Sequence, residues 1–252
     1  MKSQLLALLL LPALYTSCEK NQLVPTGHDF INLDSVKITS YIKDNYYHDA
    51  KLLYTNEIYT DSTHFNRNNP VIDTSEVTKV LKIIQSVYDL DSQESRTVFE
   101  TYKIHARLSI SFNSFYLNVR TDKPEIINLA KGVIPTGNIS LDNLLLTYKF
   151  DSVKPFYGYP EFNWLTIFTK NEYNLIPIVN MFSRLPSVLN TDMEKGSGIG
   201  DGNTIRLNRM ADNAEIVFSI GKGDCPAGCT YHKYWVFNVS NNKSKFIRTY
   251  ED

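Results

Sequence analysis

Three cysteines in 252 residues, at positions 18, 225 and 229, cannot build a standard zinc ribbon, which needs a second ligand pair. The five histidines are scattered, and neither a His-Glu-x-x-His helix nor a Gly-x-Ser-x-Gly elbow occurs. Charge of one sign is missing too. Lys and Arg number 26 against 27 Asp and Glu, for a net charge of −1, and no basic cluster stands out. That balance argues against a nucleic-acid partner, because phosphate binding needs a basic face. No cofactor motif is present: the Gly-rich run from Gly196 to Asn203 precedes a strand and lacks a Lys-Ser/Thr ending, so it is not a nucleotide loop. Beyond Leu14 no segment approaches the roughly 20 consecutive apolar residues of a transmembrane helix.

What the N-terminus does contain is an address. Lys2 is followed by an apolar run from Leu5 to Leu14, interrupted by Pro12, and by the small residues Thr16 and Ser17. This is the layout of a secretory signal peptide, too short to be a permanent span. The stretch Leu14-Tyr15-Thr16-Ser17-Cys18 resembles the lipobox of bacterial lipoproteins, with Tyr15 in place of the usual leucine. The polar residues Glu19-Lys20-Asn21-Gln22 after it are similar to those of bacteroidete lipoproteins. That resemblance implies cleavage before Cys18, lipid on its thiol and a place in the cell envelope at the outer membrane. Acyl chains contribute about 0.8 kcal/mol per buried methylene, so more than one chain makes the anchor stable. With Cys18 used for lipid, Cys225 and Cys229 remain as a pair in a compartment that favours oxidation.

The mature chain of about 235 residues is large enough for one domain or two small ones with a proper core. Its 16 tyrosines suit β-rich structure. Residues 18–33 read as a lipidated tether after the signal peptide of 1–17. An N-terminal α+β segment of 34–105 follows, with β-compatible spacing from Ala50 to Thr60 and a polar loop from Thr63 to Pro70. Asp73 and Glu76 make a capping-box-like start, and Val77, Val80, Leu81, Ile84, Val87 and Tyr88 recur at helical spacing, which predicts a helix over 74–88.

From 106 to 195 strand and helix alternate. Tyr116–Thr121 and Trp164–Thr169 form a weak repeat, each copy leading into a helical segment. Strands near 107–120, 150–157, Trp164 and Val188, with helical regions from Pro124, after Ser140 and at 175–184, give the order β-α-β-β-α-β. The fold class is therefore α+β, with a ferredoxin-like βαββαβ region. This stretch loosely resembles the propeptide and inhibitor domains of subtilisin-type proteases, in which a helix closes with a Pro-x-Val like Pro186-Ser187-Val188. Residues 196–252 read as an antiparallel β-meander with strands at 204–209, 215–220, 233–239 and 245–250.

Between two of those strands lies Gly221-Lys222-Gly223-Asp224-Cys225-Pro226-Ala227-Gly228-Cys229, followed by Tyr231, His232, Tyr234 and Trp235. It resembles a C-terminal signature of uncharacterised secreted bacterial proteins, which brings no activity with it. A structural Cys225–Cys229 disulfide closes a five-residue loop and is worth about 2 kcal/mol by chain entropy. Asp224, Cys225, Cys229 and His232 also comprise four ligand types acceptable to zinc, and a redox-active pair is a further alternative. Asp201 and Asn203 could hold calcium, or simply belong to an interdomain loop. Taken together these features predict a membrane-tethered lipoprotein acting as a non-enzymatic binding or structural module with a protein partner in the envelope. The alternatives are a protease-inhibitor-like domain, or a metal or redox protein centred on the Cys225–Cys229 loop.

Overall fold

The computed structural model describes residues 31–155, 163–193, 195–196, 202–225 and 228–252. The signal peptide, Cys18 and Asp201 lie outside them. Residues 50–60, expected to be extended, instead form the second half of helix α1 (Ser40–Thr60). Thr39 caps it, its side chain accepting from the Ile42 amide. The buried residues Ile42, Tyr46, Ala50, Leu53, Tyr54 and Ile58 recur at helical spacing along it. Read from Ala50 onward, that period is blurred because Lys51, Leu52 and Thr55 are buried as well. A second surface covers Lys51: its Nζ reaches Glu172 at 2.7 Å and sits 4.7 Å from the centre of the Phe112 ring.

Helix α2 (Thr74–Tyr88) falls where its periodicity predicts. Asp73 accepts from the amides of Ser75 and Glu76, but the Glu76 side chain does not close the expected capping box and turns into the protein interior. A short helix α3 (Gln93–Arg96) runs into a π-helical turn at Thr97–Thr101, which buries Val98 and Phe99. The expected tether of 18–33 does not extend to its predicted end, since Ile31 and Leu33 are buried in the core; residues 18–30 lie outside the described residues.

Two short strands, β1 (Ser109–Ile110) and β2 (Ser114–Val119), open the middle region. Helices α4 (Pro124–Ala130) and α5 (Ile139–Thr147), strands β3 (Phe150–Pro155) and β4 (Trp164–Thr169), helix α6 (Leu175–Phe182) and strand β5 (Val188–Asp192) follow. Proline starts α4 where its missing amide costs nothing. The sheet order is β3-β4-β2-β5, antiparallel throughout. The two repeat copies become its central pair, with Tyr116 opposite Thr166 and Leu117 opposite Leu165. Phe115, Leu117, Leu165 and Ile167 project from one face into a core shared with all three helices. At the neck of this unit β1 pairs with β6 (Lys195–Gly196), so the chain enters and leaves side by side.

The last four strands are β7 (Thr204–Arg209), β8 (Ala214–Lys222), β9 (Tyr231–Ser240) and β10 (Lys243–Glu251). They form the expected antiparallel meander in sequential order. Asn241 and Asn242, both at positive φ, make the two-residue turn before β10. Ile216, Phe218 and Ile220 of β8 and Trp235, Phe237 and Val239 of β9 face α1 and α2. Burial of each such side chain is worth about 1.5–3 kcal/mol. The segments 34–105 and 196–252, expected as successive units, therefore share one core.

Asn174 locks that core to the middle unit. It is fully buried, and its Nδ2 donates to the carbonyls of Asn66, Arg67 and Asn69 at 3.2, 3.1 and 2.9 Å. Its Oδ1 meanwhile accepts from the Ile176 amide and caps α6.

Candidate functional site

The cysteine loop forms the connection between β8 and β9. Cys225 and Cys229 lie at disulfide distance, with Cα atoms 3.9 Å apart. Gly223 and Gly228 take φ values of +94° and +115°, which L side chains rarely adopt. Behind the loop, Gly221 lets Cys229 approach β8: a Cβ there would lie 3.0 Å from that of Cys229 and 3.2 Å from the Gly202 Cα. The Thr230 amide donates to the Lys222 carbonyl at 3.0 Å and restarts the ladder.

The four residues considered as metal ligands are not brought into one set. The two sulfurs face each other, Asp224 is exposed, and His232 Nδ1 pairs with Asp252 at 3.2 Å. Among the described residues no group of three or more His, Cys, Asp or Glu side chains could hold a metal ion. Asn203, considered for calcium, accepts from the Gly221 amide at 3.3 Å. Along β9 the residues after the loop form a polar and aromatic ladder with β10. Lys233 Nζ reaches Glu251 at 3.0 Å, Tyr234 donates to Asp252 at 3.2 Å, and the Tyr234 and Tyr250 rings stack at 4.5 Å. The Lys233 hydrogen bond, with help from Tyr231, holds the Glu251 carboxyl below its ordinary pKa.

Two charged clusters have no sequence signature. In the first, Arg209 at the end of β7 carries a side chain only 4 % exposed and bridges Glu57 of α1 and Glu76 of α2. Its Nε lies 2.9 Å from Glu57 and its Nη1 2.9 Å from Glu76, while Nη2 makes a further short contact with Glu57. Burial alone would lower the guanidinium pKa; the Glu57 charge and the hydrogen bonds to both carboxylates more than reverse it, so the net direction is upward. Beneath it burial pushes the Tyr54 hydroxyl up to about 12, so it stays neutral, and it accepts from Asn66 at 2.7 Å. A cavity of about 280 Å³ opens over this cluster, lined by Glu57, Asp61, His64 and Arg209 among others. The guanidinium is already shared between two carboxylates, so the cluster works as a clamp between sheet and helices.

In the second cluster, Asp49 of α1 is buried and accepts from His105 Nδ1 at 2.8 Å and from the Ala106 amide at 2.7 Å. Burial raises the Asp49 pKa, and the His105 and Ala106 hydrogen bonds partly offset it. The imidazole stacks on Tyr46 at 4.8 Å, and its side chain is 48 % exposed. This is an oriented imidazole, half of a catalytic triad in geometry. Among the described residues no hydroxyl or thiol hydrogen-bonds its Nε2, so the nucleophilic half is not in place. Spacing in the sequence could not reveal either cluster, because the partners lie 152, 133 and 56 residues apart.

No family model, no curated protein and no solved structure matches the chain. No helix among the described residues is long and apolar enough to cross a membrane.

Proposed function

We propose that this chain is a secreted, lipid-anchored surface module that binds a partner in the cell envelope and has no catalytic activity of its own. The observation that carries the reading is the Cys225–Cys229 pair at disulfide distance. Such pairs persist in oxidising compartments and are rare in the cytosol, which agrees with the signal-like start and the lipobox-like Cys18. The polar groups in the interior support it as well: the charged Arg209 and Asp49 and the neutral Asn174 each join separate elements of the fold. Intact mass and peptide mapping of the membrane-extracted protein test it. Expected are removal of residues 1–17, an acylated Cys18 and two fewer hydrogens at Cys225 and Cys229. An uncleaved N-terminus or free thiols at 225 and 229 would sink the proposal.

The middle region is further read as ferredoxin-like. Its support is the β3-β4-β2-β5 order, in which β2 and β4, the first and third strands of that sheet along the chain, are central and all neighbours run antiparallel. This topology favours a second reading, that the region inhibits a subtilisin-type protease. Fold alone does not carry function. Titration of such proteases with the full chain decides between the two, and unchanged hydrolysis at micromolar protein removes the inhibitor reading.

A further inference from the structure

We propose that the sheet end formed by the 210–213 and 241–242 turns faces the membrane, with a lipid headgroup surface as its partner, and that the Cys225–Cys229 loop is the membrane-distal tip. The inference rests on the lipid anchor at Cys18 proposed above. Its structural ground is where the described chain begins. Ile31, Leu33 and Val36 are buried in the core, and the segment between them is fastened to one particular turn. The Asn242 amide donates to the Asn32 carbonyl at 2.8 Å, Asn242 Nδ2 donates to Asn32 Oδ1 at 3.2 Å, and the Ser35 amide donates to Asn242 Oδ1 at 3.1 Å. Lys82 Nζ adds a hydrogen bond to the Leu33 carbonyl at 3.0 Å.

In a meander the turns alternate between ends, so the β7–β8 and β9–β10 turns lie together and the β8–β9 loop lies at the opposite end. Strand β9 spans ten residues. At about 3.4 Å per residue it sets the cysteine loop on the order of 30 Å beyond the Asn241–Asn242 turn. From Cys18 to Ile31 the chain has thirteen steps, including Pro25 and Gly27. Treated as a random coil, a chain of that length has an r.m.s. reach of about 20 Å. To lay the cysteine tip on the bilayer, it would have to run back along the whole sheet at about one and a half times that reach. The turn end suits a headgroup surface: Asn32, Asn213, Asn241 and Asn242 are neutral and polar, Lys82 and Lys243 balance Asp34 and Asp212, and Met210 is 41 % exposed.

The test uses the full lipidated chain in vesicles of phosphatidylethanolamine and phosphatidylglycerol whose headgroups carry a short-range nitroxide quencher. A fluorophore is placed on Asp212→Cys at the turn end or on Glu251→Cys at the tip end, labelled without reductant. Expected is quenching several-fold stronger at 212 than at 251. Equal or stronger quenching at 251 overturns the orientation. Flotation of the unlabelled protein, with Cys18→Ala as control, separates this failure from the other. If the native chain does not float with vesicles, the anchor is wrong and the orientation falls with it.

Discussion

Replacing Asn174 by alanine removes four hydrogen bonds at the junction between the two cores. Three run from Nδ2 to the carbonyls of Asn66, Arg67 and Asn69, and one runs from the Ile176 amide to Oδ1. The capping bond is worth about 1 kcal/mol. Loss of the donor at this buried position takes the Asn174 partner from the Arg67 and Asn69 carbonyls, while the Asn66 carbonyl keeps the Asn69 amide at 3.1 Å, at a further cost of about 1–3 kcal/mol. The backbone amide of residue 174 still donates to the Pro70 carbonyl, so the loop is weakened and not released. A total of about 2–4 kcal/mol is a large share of the 5–15 kcal/mol typical of a folded domain. Urea denaturation reads it as a lower midpoint at unchanged slope, and hydrogen exchange should quicken at 66–70 and in the first turn of α6. Asn174→Asp keeps the cap but aims a carboxylate at three carbonyl oxygens. It should be less stable than the alanine variant at pH 7 and regain stability as acid protonates it. An alanine variant within 0.5 kcal/mol of the parent, about the spread of an ordinary surface substitution, refutes the assignment of the junction to this side chain.

Arg209→Met takes the shared cation from the buried Glu76, which keeps Lys79 at 2.6 Å, and from the part-exposed Glu57, and should cost about 3 kcal/mol in denaturant melts. Adding Glu57→Leu and Glu76→Leu should recover most of it, and no recovery would show that packing, not charge, sets the loss. Asp73→Ala should cost about 1 kcal/mol at pH 7 through the lost α2 cap. The Ser75 hydroxyl and the first-turn amides hold the Asp73 pKa below its ordinary value, so its contribution is present above the unfolded carboxylate pKa of about 4 and is lost as pH falls through the lower folded value. Thermal melts at both ends of that range check it; an unchanged difference in acid would refute the electrostatic share. Cys225→Ser/Cys229→Ser should lower stability by up to about 2 kcal/mol, the entropy of a five-residue loop, and reductant should reproduce the loss in the parent chain.

Local signals carried much of the architecture. Helix α2 was legible because Asp73 and an apolar stripe on one face agree, and the last four strands were legible because turns of Gly, Asp and Asn separate alternating runs. Helix α1 was not, because Lys51, Leu52 and Thr55 are buried beside its apolar stripe, Lys51 against Glu172 and Phe112, which puts burial on more than one side. The end of the tether was misjudged for a similar reason: Ile31 and Leu33 sit in a polar stretch, and only the hairpin 207 to 210 residues away shows what they pack beside. Of the site residues, Cys225 and Cys229 announced themselves by proximity in sequence. Arg209 and Asp49 could not, since a lone arginine before a turn and an aspartate inside a helix carry no chemistry until the fold supplies their partners.

The shared core of the first and last segments bears on how the chain can be made. Helices α1 and α2 are complete by residue 88, yet the strands that cover their apolar faces begin at residue 204. As the chain emerges from its N-terminus the middle unit can close on its own contacts while the helices before it wait, with Ile42, Leu53, Val80 and Ile84 uncovered. Contacts that span so much chain are slow to form. Over that interval those apolar faces stay open to contact with other chains, so the order in which the chain is made sets a window for misassociation.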